Sequence, residues 1–107
     1  MDLSELIKRA KDVRDKYAAL ERKMCRREWS GQDLLTGFVG DVGDLTKLIM
    51  AKEGLRKAED LDEKLEHELS DCLWSVLVLA DKYGVDIEKS FLQNMDELEK
   101  RIDEETE

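Results

Sequence analysis

The sequence predicts an all-α chain of four antiparallel helices arranged as a bundle. Three observations carry that prediction. Apolar residues recur every three or four positions in four separate stretches, none of the 107 residues is proline, and no alternating apolar/polar run suggests a strand. Charged residues make up 42% of the chain, far above the usual ~25%. Leu, Ile, Val and Met are nevertheless frequent and periodic, which marks a folded helical protein rather than a disordered one.

The first helix is expected from Leu3 to Glu28. Asp2 and Glu5 match a capping box, and Leu3, Leu6, Ile7, Ala10, Val13, Tyr17 and Leu20 form its apolar stripe. Ser30-Gly31-Gln32-Asp33 breaks that helix and opens the second, which carries Leu34, Leu35, Phe38, Val42, Leu45, Leu48 and Ile49 and stops at Gly54. Asp62 is positioned to cap a third helix with Leu65, Leu69, Cys72, Leu73, Val76, Leu77 and Ala80 at core spacing, ending at Gly84. Asp86 caps a fourth, whose Ile87, Phe91, Met95, Leu98 and Ile102 should face inward before the acidic tail Asp103–Glu107 frays.

Residues 1–107 read as a single domain, since no linker or repeat divides them. A formal net charge of −9 with no basic stripe argues against a nucleic-acid surface. Cys25 and Cys72 belong to no metal or redox spacing and are expected as reduced thiols. No stretch resembles a signal peptide or membrane span, so a soluble cytoplasmic protein is expected.

Two acidic pairs at i, i+3 spacing are the main chemical signal: Asp41 with Asp44, and Glu68 with Asp71. Each pair places two carboxylates on one helix face despite their mutual repulsion. Oxygen-only clusters suit hard divalent cations such as Mg²⁺ or Mn²⁺. The short connection between helices two and three makes them an antiparallel hairpin, with the pairs offset by only roughly 4–5 Å at 1.5 Å rise per residue. Helix phase decides whether they meet. A solvated acidic face is the competing reading. Gly37, Gly40 and Gly43 recur every third residue beside the first pair, as close helix packing or close approach of a ligand requires.

His67, the lone histidine, reads as a surface or hydrogen-bonded residue, and Trp74 as a core residue. In so charged a chain, Lys47, Lys52, Arg56 and Lys82 read as solvated or ion-paired side chains rather than phosphate contacts.

Around these acids the chain resembles the MazG-like, all-α nucleoside triphosphate pyrophosphohydrolases, a superfamily that includes the dimeric dUTPase and dCTPase types. Their E-E-x-x-E motif aligns with Gly40-Asp41-Val42-Gly43-Asp44, and their E-x-x-D with Glu68-Leu69-Ser70-Asp71. Leu79-Ala80-Asp81-Lys82-Tyr83-Gly84-Val85-Asp86-Ile87 resembles the family's L-A-x-x-x-G-I-D-L segment, and the match covers roughly Trp29 to Arg101. The resemblance implies Mg²⁺ (or Mn²⁺) held by Asp41, Asp44, Glu68 and Asp71, with Glu68 or Asp71 acting on the attacking water. It implies a nucleoside triphosphate substrate contacted by Arg101, release of a monophosphate and pyrophosphate, and a homodimer or homotetramer that completes the bundle; Trp29, beside a helix break, reads equally as a base-stacking contact to that substrate or as a structural residue. Three departures stand out. Gly40 replaces an acid, Asp41 and Asp44 replace glutamates, and Asn94 and Leu98 stand where the family carries Lys and Asn. A non-catalytic relative that binds nucleotide, metal or a protein partner is the alternative these departures leave open.

Overall fold

In a computed structural model, which describes residues 1–106, the chain folds as α1 (Leu3–Lys23), α2 (Gly31–Lys52), α3 (Leu61–Lys82) and α4 (Ile87–Thr106), with no strand among the described residues. Each boundary has a local cause. The Asp2/Glu5 capping box starts α1, with the Glu5 N–H donating to Asp2 at 3.0 Å. At α2 the Ser30 hydroxyl accepts from the Asp33 N–H at 3.2 Å, and Asp33 accepts from the Ser30 N–H at 2.9 Å. The Lys89 N–H donates to Asp86 at 3.1 Å, which fixes the start of α4. Gly54 (φ 78°) and Gly84 (φ 67°) take the left-handed conformation that ends α2 and α3.

Three boundary expectations need correction. α1 ends at Lys23 rather than Glu28, because Cys25 turns to φ 56° and the chain doubles back. That turn is held by side chains from elsewhere, including an Arg22–Glu28 ion pair and Arg27 to Asp33 at 2.7 Å. α3 is preceded by Asp60 at φ 51°, which makes no side-chain cap, so Asp62 does not cap the helix. Asp62 lies instead in the first turn and pairs with Lys52 at 2.5 Å, tying the end of α2 to the start of α3. α4 stays helical through Thr106 where fraying was expected from Asp103; Glu107 lies outside the described residues.

α3 is the central element: α2 packs along it and α1 packs on it too, so that all three helices contribute to one core. The core is small, built on Ala10, Leu34, Leu77 and Val78, with Leu3, Ile7, Trp74, Leu79 and Ile87 packed around it. α4 projects away and buries no residue. The radius of gyration is accordingly 17.2 Å, against about 13 Å for a compact chain of this length.

The expected apolar stripes are therefore only half used. Phe91, Leu98 and Ile102 of α4 are exposed rather than inward, as are Leu35, Val42 and Ile49 of α2 and Leu69, Leu73 and Val76 of α3. The physical reason is that α2 and α3 each carry apolar residues around much of their circumference. One chain supplies a neighbour for only part of it.

Candidate functional site

α2 places Asp41 and Asp44 one turn apart, and α3 places Glu68 and Asp71 one turn apart on the facing helix. Carboxylate oxygens of Asp41, Asp44 and Glu68 all lie within 4.8 Å of one another. Asp71 is not in that group. Its Oδ2 sits 3.1 Å from His67 Nε2, one turn earlier on α3. The lone histidine thus serves as a polar partner to an acid.

The electrostatics of the cluster are unfavourable as it stands. Burial pushes the Glu68 carboxyl above the usual range, and Asp41, Asp44 and Asp71 add repulsion. Asp41 is raised in the same direction, first by burial and then by Asp71 and Asp44, with His67 opposing. Glu68 Oε2 is buried without a hydrogen-bond partner. A buried, unpartnered carboxylate oxygen is costly, and nearby negative charge adds to that cost. A hard divalent cation among these oxygens would remove both penalties, and an all-carboxylate donor set is the type such ions take.

A cavity of about 660 Å³ opens beside the cluster, with Asp41 and Asp71 in its wall facing Tyr17, Trp29 and Trp74. That volume falls within the ~300–1,000 Å³ typical of small-molecule sites. Trp74 also packs on the core, where its Nε1 donates to the Ala10 carbonyl at 3.2 Å and its ring meets Tyr17 edge-on at 6.1 Å between centroids. Trp29 is held by its backbone. Arg14 Nη2 donates to the Trp29 carbonyl at 2.7 Å, the Trp29 N–H donates to Glu21 at 3.2 Å, and Arg14 and Glu21 lie 3.8 Å apart. The Trp29 indole rests over Gly37, where an added Cβ would come within 3.1 Å of its ring. This accounts for one of the three glycines. Gly40 and Gly43 have no heavy atom within 4 Å of an added Cβ.

On the other side of the acids a second cavity, about 290 Å³, is lined by Asp44 and Glu68 together with Lys47, Arg56, Lys57 and Lys64. Arg101 is exposed on α4 and lines neither cavity. Sequence reasoning missed Arg14, Glu21, Lys57 and Lys64. The first two lie 15 and 8 residues from Trp29, and no spacing rule links α1 to the loop that follows it.

The fold and site define an all-α protein whose central hairpin brings three carboxylates together beside an aromatic cavity. The chain matches the model of the MazG nucleotide pyrophosphohydrolase domain over residues 30–105 and belongs to that family. Comparison with curated proteins and with solved structures gave no match. Among the described residues, no helix is long and apolar enough to cross a membrane.

Proposed function

We propose that this chain is a divalent-metal-dependent pyrophosphohydrolase that converts a nucleoside triphosphate to its monophosphate and pyrophosphate. The observation that carries the reading is the convergence of Asp41, Asp44 and Glu68 around an unpartnered buried oxygen, in a chain of the MazG family. These three residues fit Mg²⁺, with Mn²⁺ as a substitute. When bound, such an ion neutralises phosphate charge and lowers the pKa of water. Asp71 takes the base role, because it is the acid outside the converging oxygens yet close enough to raise Asp41 and Glu68. It accepts the proton of the water whose oxygen attacks the α phosphorus, while the bond to the bridging oxygen breaks and pyrophosphate leaves. His67 holds the Asp71 carboxylate in orientation. Trp29 and Trp74 take the nucleobase in the aromatic cavity.

The test is pyrophosphate release across a panel of ribo- and deoxyribonucleoside triphosphates with Mg²⁺ or Mn²⁺. Asp71→Asn should lower turnover by roughly 10²–10⁴-fold. No product from any triphosphate would overturn the hydrolase reading.

We also propose that the working form is at least a homodimer. The support is the exposed apolar face of α4 and of the outer sides of α2 and α3. Sedimentation showing a monomer at micromolar concentration would refute it.

A further inference from the structure

We infer that the basic cavity at the α2–α3 connection is a second phosphate-binding subsite, which takes the pyrophosphate end of a nucleoside triphosphate. The inference rests on the hydrolase reading for the identity of the ligand, and on the following geometry for the site itself. Lys47 lies on α2 one turn beyond Asp44, and Lys64 lies on α3 one turn before Glu68, so both cations sit nearer the connection than the acids. Arg56 and Lys57 complete the wall from the connection itself.

Along the hairpin, the order is thus four cations, then Asp44 with Glu68, then Asp41 with Asp71, then the aromatic cavity. Successive levels are one helical turn apart, about 5.4 Å. A triphosphate laid along this track puts its base among Tyr17, Trp29 and Trp74 and its α phosphate at the carboxylates. Its terminal phosphates then reach the lysines and arginine.

Two observations fit an anion there. First, Lys47, Arg56, Lys57 and Lys64 converge on one cavity and take part in none of the ion pairs formed among the described residues, so no carboxylate has to be displaced for them to meet an anion. Lys64 does not bridge even to Glu68 one turn away; lysine on the N-terminal side is the weaker order for such a pair. Second, the cavity is about 290 Å³, at the lower edge of the small-molecule range, so it suits a small anion rather than a whole nucleotide. Arginine and lysine together supply bidentate and point-charge donors for phosphate oxygens. The subsite also supplies cations beside the acids, whereas on α4 Asn94 and Leu98 carry no charge and Arg101 lines neither cavity.

The test compares the whole chain with the variant Lys47→Gln/Arg56→Gln/Lys57→Gln/Lys64→Gln. A control variant, Lys8→Gln/Lys11→Gln/Lys16→Gln/Lys23→Gln on α1, makes the same change in net charge elsewhere. All eight residues are exposed, and circular-dichroism melts confirm that each variant folds. Calorimetric titration with inorganic pyrophosphate in the presence of Mg²⁺ reads the subsite directly. The expected result is at least about tenfold weaker binding in the cavity variant, with the control close to wild type. Equal losses in both variants, unchanged affinity in the cavity variant, or no pyrophosphate binding by wild type would each overturn the inference. The triphosphate panel separates the two readings. Turnover with unchanged pyrophosphate affinity removes the subsite and keeps the hydrolase. Pyrophosphate binding that the cavity variant alone loses, without any turnover, removes the hydrolase and keeps the anion site.

Discussion

Replacing Gly40 and Gly43 by alanine should stabilise the isolated chain, and the magnitude follows from the structure. Both glycines lie inside α2, and an added Cβ at either meets no heavy atom within 4 Å. Alanine is favoured over glycine by ~0.8–1.0 kcal/mol in a helix interior, so the double variant should gain about 1.6–2.0 kcal/mol. At ~4–8 °C per kcal/mol for a small domain, the melting temperature should rise by roughly 6–16 °C. The assay is thermal and urea unfolding of wild type and double variant at one low concentration, with the urea m-value unchanged. Gly37→Ala is the internal contrast. Its methyl would sit 3.1 Å from the Trp29 ring, so the helix gain is offset and little net change is expected. A double variant that melts at or below wild type would refute the reasoning, because it would mean that something fills the space beside α2 in solution. Sedimentation at the same concentration would then identify a second copy as the neighbour. Because Gly40 and Gly43 adjoin Asp41 and Asp44, the same variant should lose activity if substrate passes over this face.

In chelator, Glu68→Gln should melt above wild type, since the substitution removes a buried and repelled charge. With Mg²⁺ at 100 times its dissociation constant wild type should gain about 2.7 kcal/mol, and the variant should lose most of that gain; calorimetric melts with and without the ion check both. The pH dependence has two opposing parts. Arg27 and then the Ser30 N–H hold the Asp33 carboxyl down to about 2, so its contribution is present above the unfolded value of ~3.9 and is lost as pH falls toward 2. Glu68 and Asp41 are raised, so their contribution is present below the unfolded values of ~4 and is lost as pH rises through their folded ones. Titration in chelator should therefore show Arg27→Gln less stable than wild type above about pH 4, with the gap closing as pH falls toward 2, and Asp41→Asn/Glu68→Gln relatively more stable near neutral pH; unchanged profiles would refute either part. Ser30→Ala should cost ~0.5–2 kcal/mol by removing the α2 cap, read as a lower urea midpoint.

Local signals made much of the fold legible. The capping residues Asp2, Ser30 and Asp86 and the left-handed glycines 54 and 84 mark helix ends through short-range chemistry, and the structure keeps them. The end of α1 was not legible, because no glycine or proline stops it. Ion pairs with Glu28 and Asp33 and the grip of Arg14 and Glu21 on Trp29 set that turn. Periodicity likewise showed which residues of α4 form an apolar stripe, but not that the stripe would lack a partner within the chain. A stripe reports that burial is wanted. It does not report whose surface provides it.

The acidic site was legible in level but not in phase. Counting residues along the hairpin set both pairs at similar heights, yet only helix rotation decides that Glu68 joins Asp41 and Asp44 while Asp71 turns to His67. The shortened first pair need not dismantle the cluster. Helix axes 8–10 Å apart leave a gap that two short aspartates from α2 and one longer glutamate from α3 still close, since their oxygens fall within 4.8 Å. Gly40 in place of a further acid removes one donor but leaves open space beside α2. The proposed subsite offers a similar answer for the departures in α4, because Lys47, Arg56, Lys57 and Lys64 gather cations on the same hairpin as the acids. On the proposed reading, with acids on α2 and α3 and cations on the same helices and their connection, alignment of a triphosphate would depend on this hairpin rather than on the docking of α4.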